Sequence, residues 1–303
     1  MQGVAPCRVF DQKRNRTLAE IVAGLCTSHV PLLGRVIDGG RTDEPYWQPI
    51  FKGYEPVKKW LAEVKPDVMI VIYNDHANGF SFKYTPTFAI GCADEFNPAD
   101  EGAGARHVPV VPGHARLAWH ITESLVLDQF DMTIMNEMDV DHGLTVPLSL
   151  VCGQPEVWPC KVIPICVNVI QYPQPTAARC YALGKAIRKA VKSFDEDLKV
   201  VIVGTGGMSH QIHGARSGLI NQEFDNAFLD KLTTSPAELA QISHAEYVRE
   251  VGAEGAEIIM WLTMRGALDD EVDVLHRFYH VPAMNTAVGN IVMQNAKSQK
   301  ITA

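Results

Sequence analysis

From Val68 to Tyr73 the chain reads Val-Met-Ile-Val-Ile-Tyr, an unbroken apolar run that stops at Asn74-Asp75-His76. A strand with one wet face alternates polar and apolar residues. An unbroken run bounded by turn formers predicts a strand buried on both faces. Other segments repeat the pattern. Ile21 to Cys26, Thr87 to Cys92, Met132 to Met135, Lys161 to Ile170 and Lys199 to Val203 read as strands. Between and after them, Tyr54 to Val64, Pro112 to Asp128, Ala177 to Phe194, Asn221 to Leu232, Pro236 to Ile242 and Ala253 to Arg265 read as helices. Strands alternating with helices predict a layered α/β/α fold around a largely parallel or mixed central sheet. No Pro/Gly/Ser-rich linker divides the chain, so a single domain is expected.

Composition narrows the function classes. With 303 residues, 47% of them hydrophobic, the chain can bury a large core. Its formal charge of −8, from 27 Lys and Arg against 35 Asp and Glu, disfavours non-specific nucleic-acid binding. No apolar stretch reaches membrane-spanning length, and the first twenty residues lack the apolar block of a secretory signal. The seven cysteines form no C-x-x-C pair. That usage fits reduced thiols in a cytoplasmic protein.

The chemistry lies where strands stop. The predicted strands end near His29, His76 and His210, each in a short polar or Gly-rich loop. In open α/β sheets such ends converge on one crevice. Glu257 shares a helical face with Met260, Trp261 and Met264, and a carboxylate on an apolar stripe calls for a cation or hydrogen bonds. Spacing alone does not choose between Glu257 and Glu254. Two histidines and one carboxylate form the facial triad of non-haem Fe(II) sites. No H-E-x-x-H occurs. The "GTGGMSH" stretch, 204–210, lacks the Lys-Ser/Thr of a nucleotide loop and suits a tight turn that brings His210 to a small ligand. Ser28-His29 and Ser209-His210 are sequence neighbours and would point apart on a strand, which argues against a Ser-His hydrolase.

Several stretches, taken in order, resemble a known family. "LCTSHVP" (25–31), "YNDHA" (73–77), "MDVDHG" (138–143), "GTGGMSHQ" (204–211) and "EGAEIIMWLTMRGAL" (254–268) are similar to successive motifs of the type II extradiol dioxygenases. The similarity is nearest to catalytic β subunits of protocatechuate 4,5-dioxygenases. It is supported by "YWQPIFKGYEP" (46–56), "PTFAIGCADEFNPADEG" (86–102) and "FDMTIMNEMDVDHG" (130–143). It extends over 21–292, leaving 1–20 as an N-terminal extension and 293–303 as a polar tail.

The resemblance implies Fe(II)-dependent opening of a carboxylated catechol (protocatechuate, gallate or 3-O-methylgallate) by O2 to a muconic semialdehyde-type product. It assigns His29, His76 and Glu257, not Glu254, as metal ligands. His210 takes the place of the acid/base, and His142 lies near the substrate. Asn74 and Asp75 are expected to orient the loop and the His76 imidazole. Asn285 and Met284 are implied as substrate-binding, the Met284 position facing the substrate carboxylate. There Met284 replaces the small hydroxyl residue of the family pattern, and a thioether cannot donate a hydrogen bond. The resemblance also implies a separate small helical α subunit. A zinc-dependent hydrolase on the same His2Glu site, or a metal-binding protein without catalytic activity, are the competing expectations.

Overall fold

The computed structural model describes residues 18–282 and 285–296. The N-terminal extension therefore lies almost wholly outside the described residues, as do Met284 and most of the C-terminal tail. In chain order the elements are β1 (Glu20–Thr27), α1 (Pro31–Asp38), α2 (Gln48–Val64), β2 (Val68–Tyr73), β3 (Phe88–Gly91), β4 (Glu95–Phe96) and β5 (Val111–Pro112). They continue with α3 (Ala115–Leu127), β6 (Thr133–Met135), α4 (His142–Cys152), β7 (Lys161–Val167), α5 (Ala177–Lys192) and β8 (Lys199–Thr205). Then follow α6 (Gln222–Thr234), α7 (Pro236–Gln241), α8 (His244–Val251), a 3-10 turn (Gly255–Ile259), α9 (Met260–Gly266), β9 (Val272–His280) and β10 (Val288–Asn295).

Eight strands form one mixed sheet in the order β6-β3-β7-β2-β8-β1-β10-β9. Its centre, β7-β2-β8-β1, is parallel. The β9–β10 hairpin runs antiparallel along β1, and β3 runs antiparallel to β7. The opening run lies at the middle of this sheet. Val68, Ile70 and Ile72 pack into the core on one face, with α3, α5 and α9. Met69, Val71 and Tyr73 pack into the core on the other, with α1, α2 and α4. That is the double burial the sequence pattern requires. Each fully buried side chain of this size contributes roughly 1.5–3 kcal/mol.

Three differences from the sequence reading have physical causes. Helix α4 is buried along its length from His142 to Val151, so it carries no apolar stripe for periodicity to detect. The segment expected as one helix from Ala253 splits into a 3-10 turn and the short α9. Strand β10 continues through Met293, Gln294 and Asn295 into the segment expected as tail, because β9 and β1 flank it there. Among the described residues no helix is long and apolar enough to cross a membrane.

Candidate active site

The central parallel strands all end at the same edge of the sheet, and the chemistry-bearing residues follow directly. His29 lies two residues beyond β1, His76 three beyond β2, and the 206–210 loop continues from β8. Because β2, β8 and β1 are adjacent, these ends meet. Glu257 reaches the same point from the 3-10 turn. At Gly206, φ is +107°, and an added Cβ would lie 2.9 Å from the Met260 side chain and 3.1 Å from Glu257. A glycine is needed there for the loop to pass this close.

The three groups converge. The ligand atoms of His29, His76 and Glu257 all lie within 4.8 Å of one another. Nε2 of His29 is 3.1 Å from Oε2 of Glu257. Two ligand atoms bonded at roughly 2.1 Å to one ion stand about 3 Å apart when the bonds are perpendicular, so this spacing suits a shared cation. The far sides of both rings are occupied. Nδ1 of His29 is 3.1 Å from the Thr205 hydroxyl. Nδ1 of His76 is 3.0 Å from the Asp141 carboxylate. Protons on both Nδ1 atoms would turn both Nε2 lone pairs to the site, where Glu257 faces that of His29 and the Asn74 amide that of His76. Asn74 places its amide 3.0 Å from His76 Nε2, while its Oδ1 is buried with no hydrogen-bond partner. A bound cation or hydroxyl would satisfy such an acceptor.

Electrostatics agree with a ligand set. Glu257 is 7% exposed. Burial alone would raise its pKa, but the imidazoles of His29, His210 and His76 hold it well below the usual carboxylate range. The backbone N–H of Gly207 donates to its Oε1 at 2.7 Å. Burial lowers His29 below the ordinary imidazole value, which favours the neutral ring. For His76 burial acts in the same direction, but the Asp141 carboxylate overcomes it and raises the pKa.

A second cluster, His76, Asp141 and His142, also has metal-like spacing. Asp141 is already committed, however. One oxygen accepts from His76 N, His76 Nδ1 and Asn78 Nδ2, at 2.6, 3.0 and 3.3 Å. The other accepts from Gly143 N at 2.9 Å as the cap of α4. Asp141 therefore has both oxygens in use, one of them orienting the His76 imidazole.

Two more histidines face the cluster. His210 donates its Nδ1–H to the Met208 carbonyl at 2.8 Å, which turns Nε2 towards the cluster, 3.7 Å from Glu257 Oε1. The ring of His142 stacks on His76 with centroids 4.0 Å apart. Its Nδ1 forms a short hydrogen bond with Glu101, which also accepts from His142 N at 2.7 Å. A cavity of about 580 Å³ opens in front of these groups, walled by apolar residues including Val169, Ile170, Ile212 and Val248.

Of the residues singled out in the sequence, His29, His76, His142, His210 and Glu257 line this cavity, with Asn74 beside them. Glu254 lines it too, but its Oε2 accepts from Ile212 N. Asp75 takes only part of its expected role. Its oxygens accept from the backbone N–H groups of Asn78, Gly79 and Phe80 and shape the loop. The carboxylate on the His76 imidazole is Asp141, brought there by α4. Asn285 is exposed, and Thr286 is the residue of its segment on the cavity wall. Asp141, Glu101 and Thr205 were not read from the sequence. An Asp before His-Gly and a long apolar run is a helix-cap signal that could have found Asp141. Glu101 carries no such signal.

Comparison with known proteins places this geometry. Residues 23–289 match the family described as the catalytic LigB subunit of aromatic ring-opening dioxygenase. A gallate dioxygenase of Pseudomonas putida is 47% identical over 197 residues, 65% of this chain and 58% of that protein. The chain thus matches less than two thirds of that relative's length. A 2,3-dihydroxyphenylpropionate/2,3-dihydroxicinnamic acid 1,2-dioxygenase of Photorhabdus laumondii is 29% identical over 252 residues, 82% of this chain and 74% of that protein. An uncharacterized protein of Escherichia coli K12, known from its crystal structure, has the same fold at a TM-score of 0.56 and 13% identity. That likeness covers 89% of this chain and 99% of that one. With a family match that takes in every histidine and carboxylate of the cluster, the chain belongs to the type II extradiol dioxygenases, the family of the catalytic LigB subunit.

Proposed function

We propose that this chain is the catalytic part of an Fe(II)-dependent extradiol dioxygenase that opens a carboxylated catechol. One observation carries the proposal. Two imidazoles and an ionised, buried carboxylate converge at the wall of a cavity, and a further histidine turns its Nε2 towards them. His29, His76 and Glu257 are the ligands of the ion. Two neutral imidazoles and one carboxylate leave net positive charge on a divalent cation, which favours a catecholate. Fe(II) held there would supply redox-active Lewis acidity towards the catechol and dioxygen.

The chain's own residues do the rest. His210 Nε2 accepts the proton of a catechol hydroxyl and returns it as the ring opens. His142, held at Nδ1 by Glu101, presents Nε2 to the same substrate face. The apolar wall excludes bulk water and contacts the ring. A volume of about 580 Å³ suits one single-ring acid. The described lining contains no Lys or Arg, so neutral donors such as Gln174 and Thr286 would meet the ring substituent. Protocatechuate, gallate and 3-O-methylgallate remain the substrate set. Product is a muconic semialdehyde or its close analogue.

A small helical α subunit is proposed as partner. The support is exposed apolar surface next to the cavity: Ile170 lines it and is 41% exposed, and Tyr172, two residues further along the chain, is 90% exposed. The described cysteines are all free thiols, in keeping with a cytoplasmic setting. Oxygen uptake by the Fe(II)-loaded chain, alone and with a co-expressed α subunit, tests the proposal on protocatechuate, gallate, 3-O-methylgallate and catechol. Uptake that depends on Fe(II) and favours a carboxylated catechol is expected. No uptake with any of the four, alone or with the partner, would refute it. Full activity of the chain alone would remove the α subunit from the proposal.

A further inference from the structure

Asp225, near the start of α6, is a carboxylate with 0% exposure, and the chemistry outlined above leaves it unused. The groups that meet it are neutral donors. Ser209 N donates to Oδ1 at 3.0 Å. The Ser209 hydroxyl donates to Oδ2 at 2.6 Å, and the Tyr279 hydroxyl donates to the same oxygen at 2.8 Å. A buried carboxylate without a cation is costly to keep unless its acceptor capacity is needed. Here three donors need it at once. An amide in its place has one acceptor oxygen and would turn N–H groups towards at least one of those donors.

What the donors share is a position behind His210. The N–H of Ser209 and the carbonyl of Met208 belong to one planar peptide unit. Asp225 grips the N–H end of that unit. The carbonyl end accepts the Nδ1–H of His210 at 2.8 Å. Hydrogen bonds in such a chain polarise one another, so a carboxylate on the N–H makes the carbonyl a better acceptor. The other side is braced as well, since Asn221 N donates to the Ser209 hydroxyl at 2.8 Å. Outside this unit, His210 is anchored through its own backbone: its N–H donates to Val251 O at 2.8 Å, and its carbonyl accepts from Gly255 N at 3.1 Å. Those bonds fix where the residue sits. They do not fix how its ring is turned or which nitrogen carries the proton.

We propose that Asp225 is a positioning residue for His210, acting through the Met208–Ser209 peptide to hold the imidazole with Nδ1 protonated and Nε2 facing the cavity. Tyr279 ties the same carboxylate to β9, so the hairpin leading to Thr286 and the acid/base histidine share one anchor. The proposal rests on the role given to His210 above, and its test separates the two.

The full chain is labelled with nitrogen-15 at histidine and loaded with zinc for spectroscopy, then with Fe(II) for turnover. The Nδ1–H resonance of His210 is identified by its loss in His210→Gln. In Asp225→Asn it should shift and lose its protection from solvent exchange, while the His76 and His142 resonances stay in place. With Fe(II), kcat on the preferred catechol should fall at least about tenfold, with KM and iron content within about twofold of the parent. Ser209→Ala keeps the peptide N–H and should show a smaller effect in the same direction. It carries the test if Asp225→Asn does not fold. A folded Asp225→Asn with an unmoved His210 resonance and parental kcat, differing only in melting temperature, would overturn the proposal. If the parent turns over no catechol, the dioxygenase assignment fails, and the His210 resonance still decides the positioning role.

Discussion

His76 is held at both ring nitrogens, and the asymmetry between its two neighbours predicts how substitutions behave. His29→Ala, His76→Ala and Glu257→Ala each remove one of the three proposed ligands, so each should lose bound iron. Glu254→Ala should keep it, because that carboxylate contacts Ile212 N and not the cluster. Metal analysis of the purified variants checks this, and full iron occupancy in Glu257→Ala would exclude it as a ligand. Asp141→Asn keeps a good helix cap but loses the charge on His76 Nδ1. Iron affinity should drop about 10–100-fold with the fold intact, measured by competition with a chelator. His210→Phe should keep its iron while turnover falls roughly 10²–10⁴-fold, the usual contribution of a general acid/base. Near-parental turnover in that variant would move the proton-transfer role to His142.

At the scale of elements, close approach between helices is the feature most exposed to substitution. On α5, a Cβ added at Gly184 would lie 2.0 Å from the Thr263 carbonyl of α9. Gly184→Ala must push the two helices apart and should destabilise by about 1–3 kcal/mol. Denaturant unfolding gives the value, and an unchanged midpoint would show that α9 moves freely. Since α9 continues directly from the turn carrying Glu257, iron affinity should weaken in the same variant. The elements also mark what a linear reading can reach. The central strands were legible because double burial writes itself as unbroken Val, Ile and Met. His29, His76 and His210 were legible because strands that must be apolar stop at them. Glu257 was narrowed by its apolar stripe and chosen by family resemblance. Glu101 was not legible, and Asp141 was legible only as a helix cap, not as the partner of His76. Their roles depend on the tertiary placement of α4 and of the 97–110 loop, and a helix buried on every side leaves no periodic trace. The β9–β10 hairpin escaped for a related reason: β9 is only partly buried, and its mixed polar pattern does not stand out.

For the whole molecule, one three-layer domain brings residues from 29 to 257 to a single edge of the sheet, and the site exists only when the sheet is complete. Family membership, ligand set and cavity all bear on one claim: that the chain inserts dioxygen into an aromatic ring and does not hydrolyse a bond. The most direct test is mass spectrometry of the ring-opened product formed by the anaerobically Fe(II)-loaded chain, with its α subunit if one is required. The reaction is started with isotopically labelled dioxygen in unlabelled water. The expected result is a product carrying both labelled oxygen atoms, formed by the parent and not by Glu257→Ala. A product with oxygen drawn only from water, or zinc-supported turnover without dioxygen, would contradict the dioxygenase assignment and favour a hydrolase at the same three ligands.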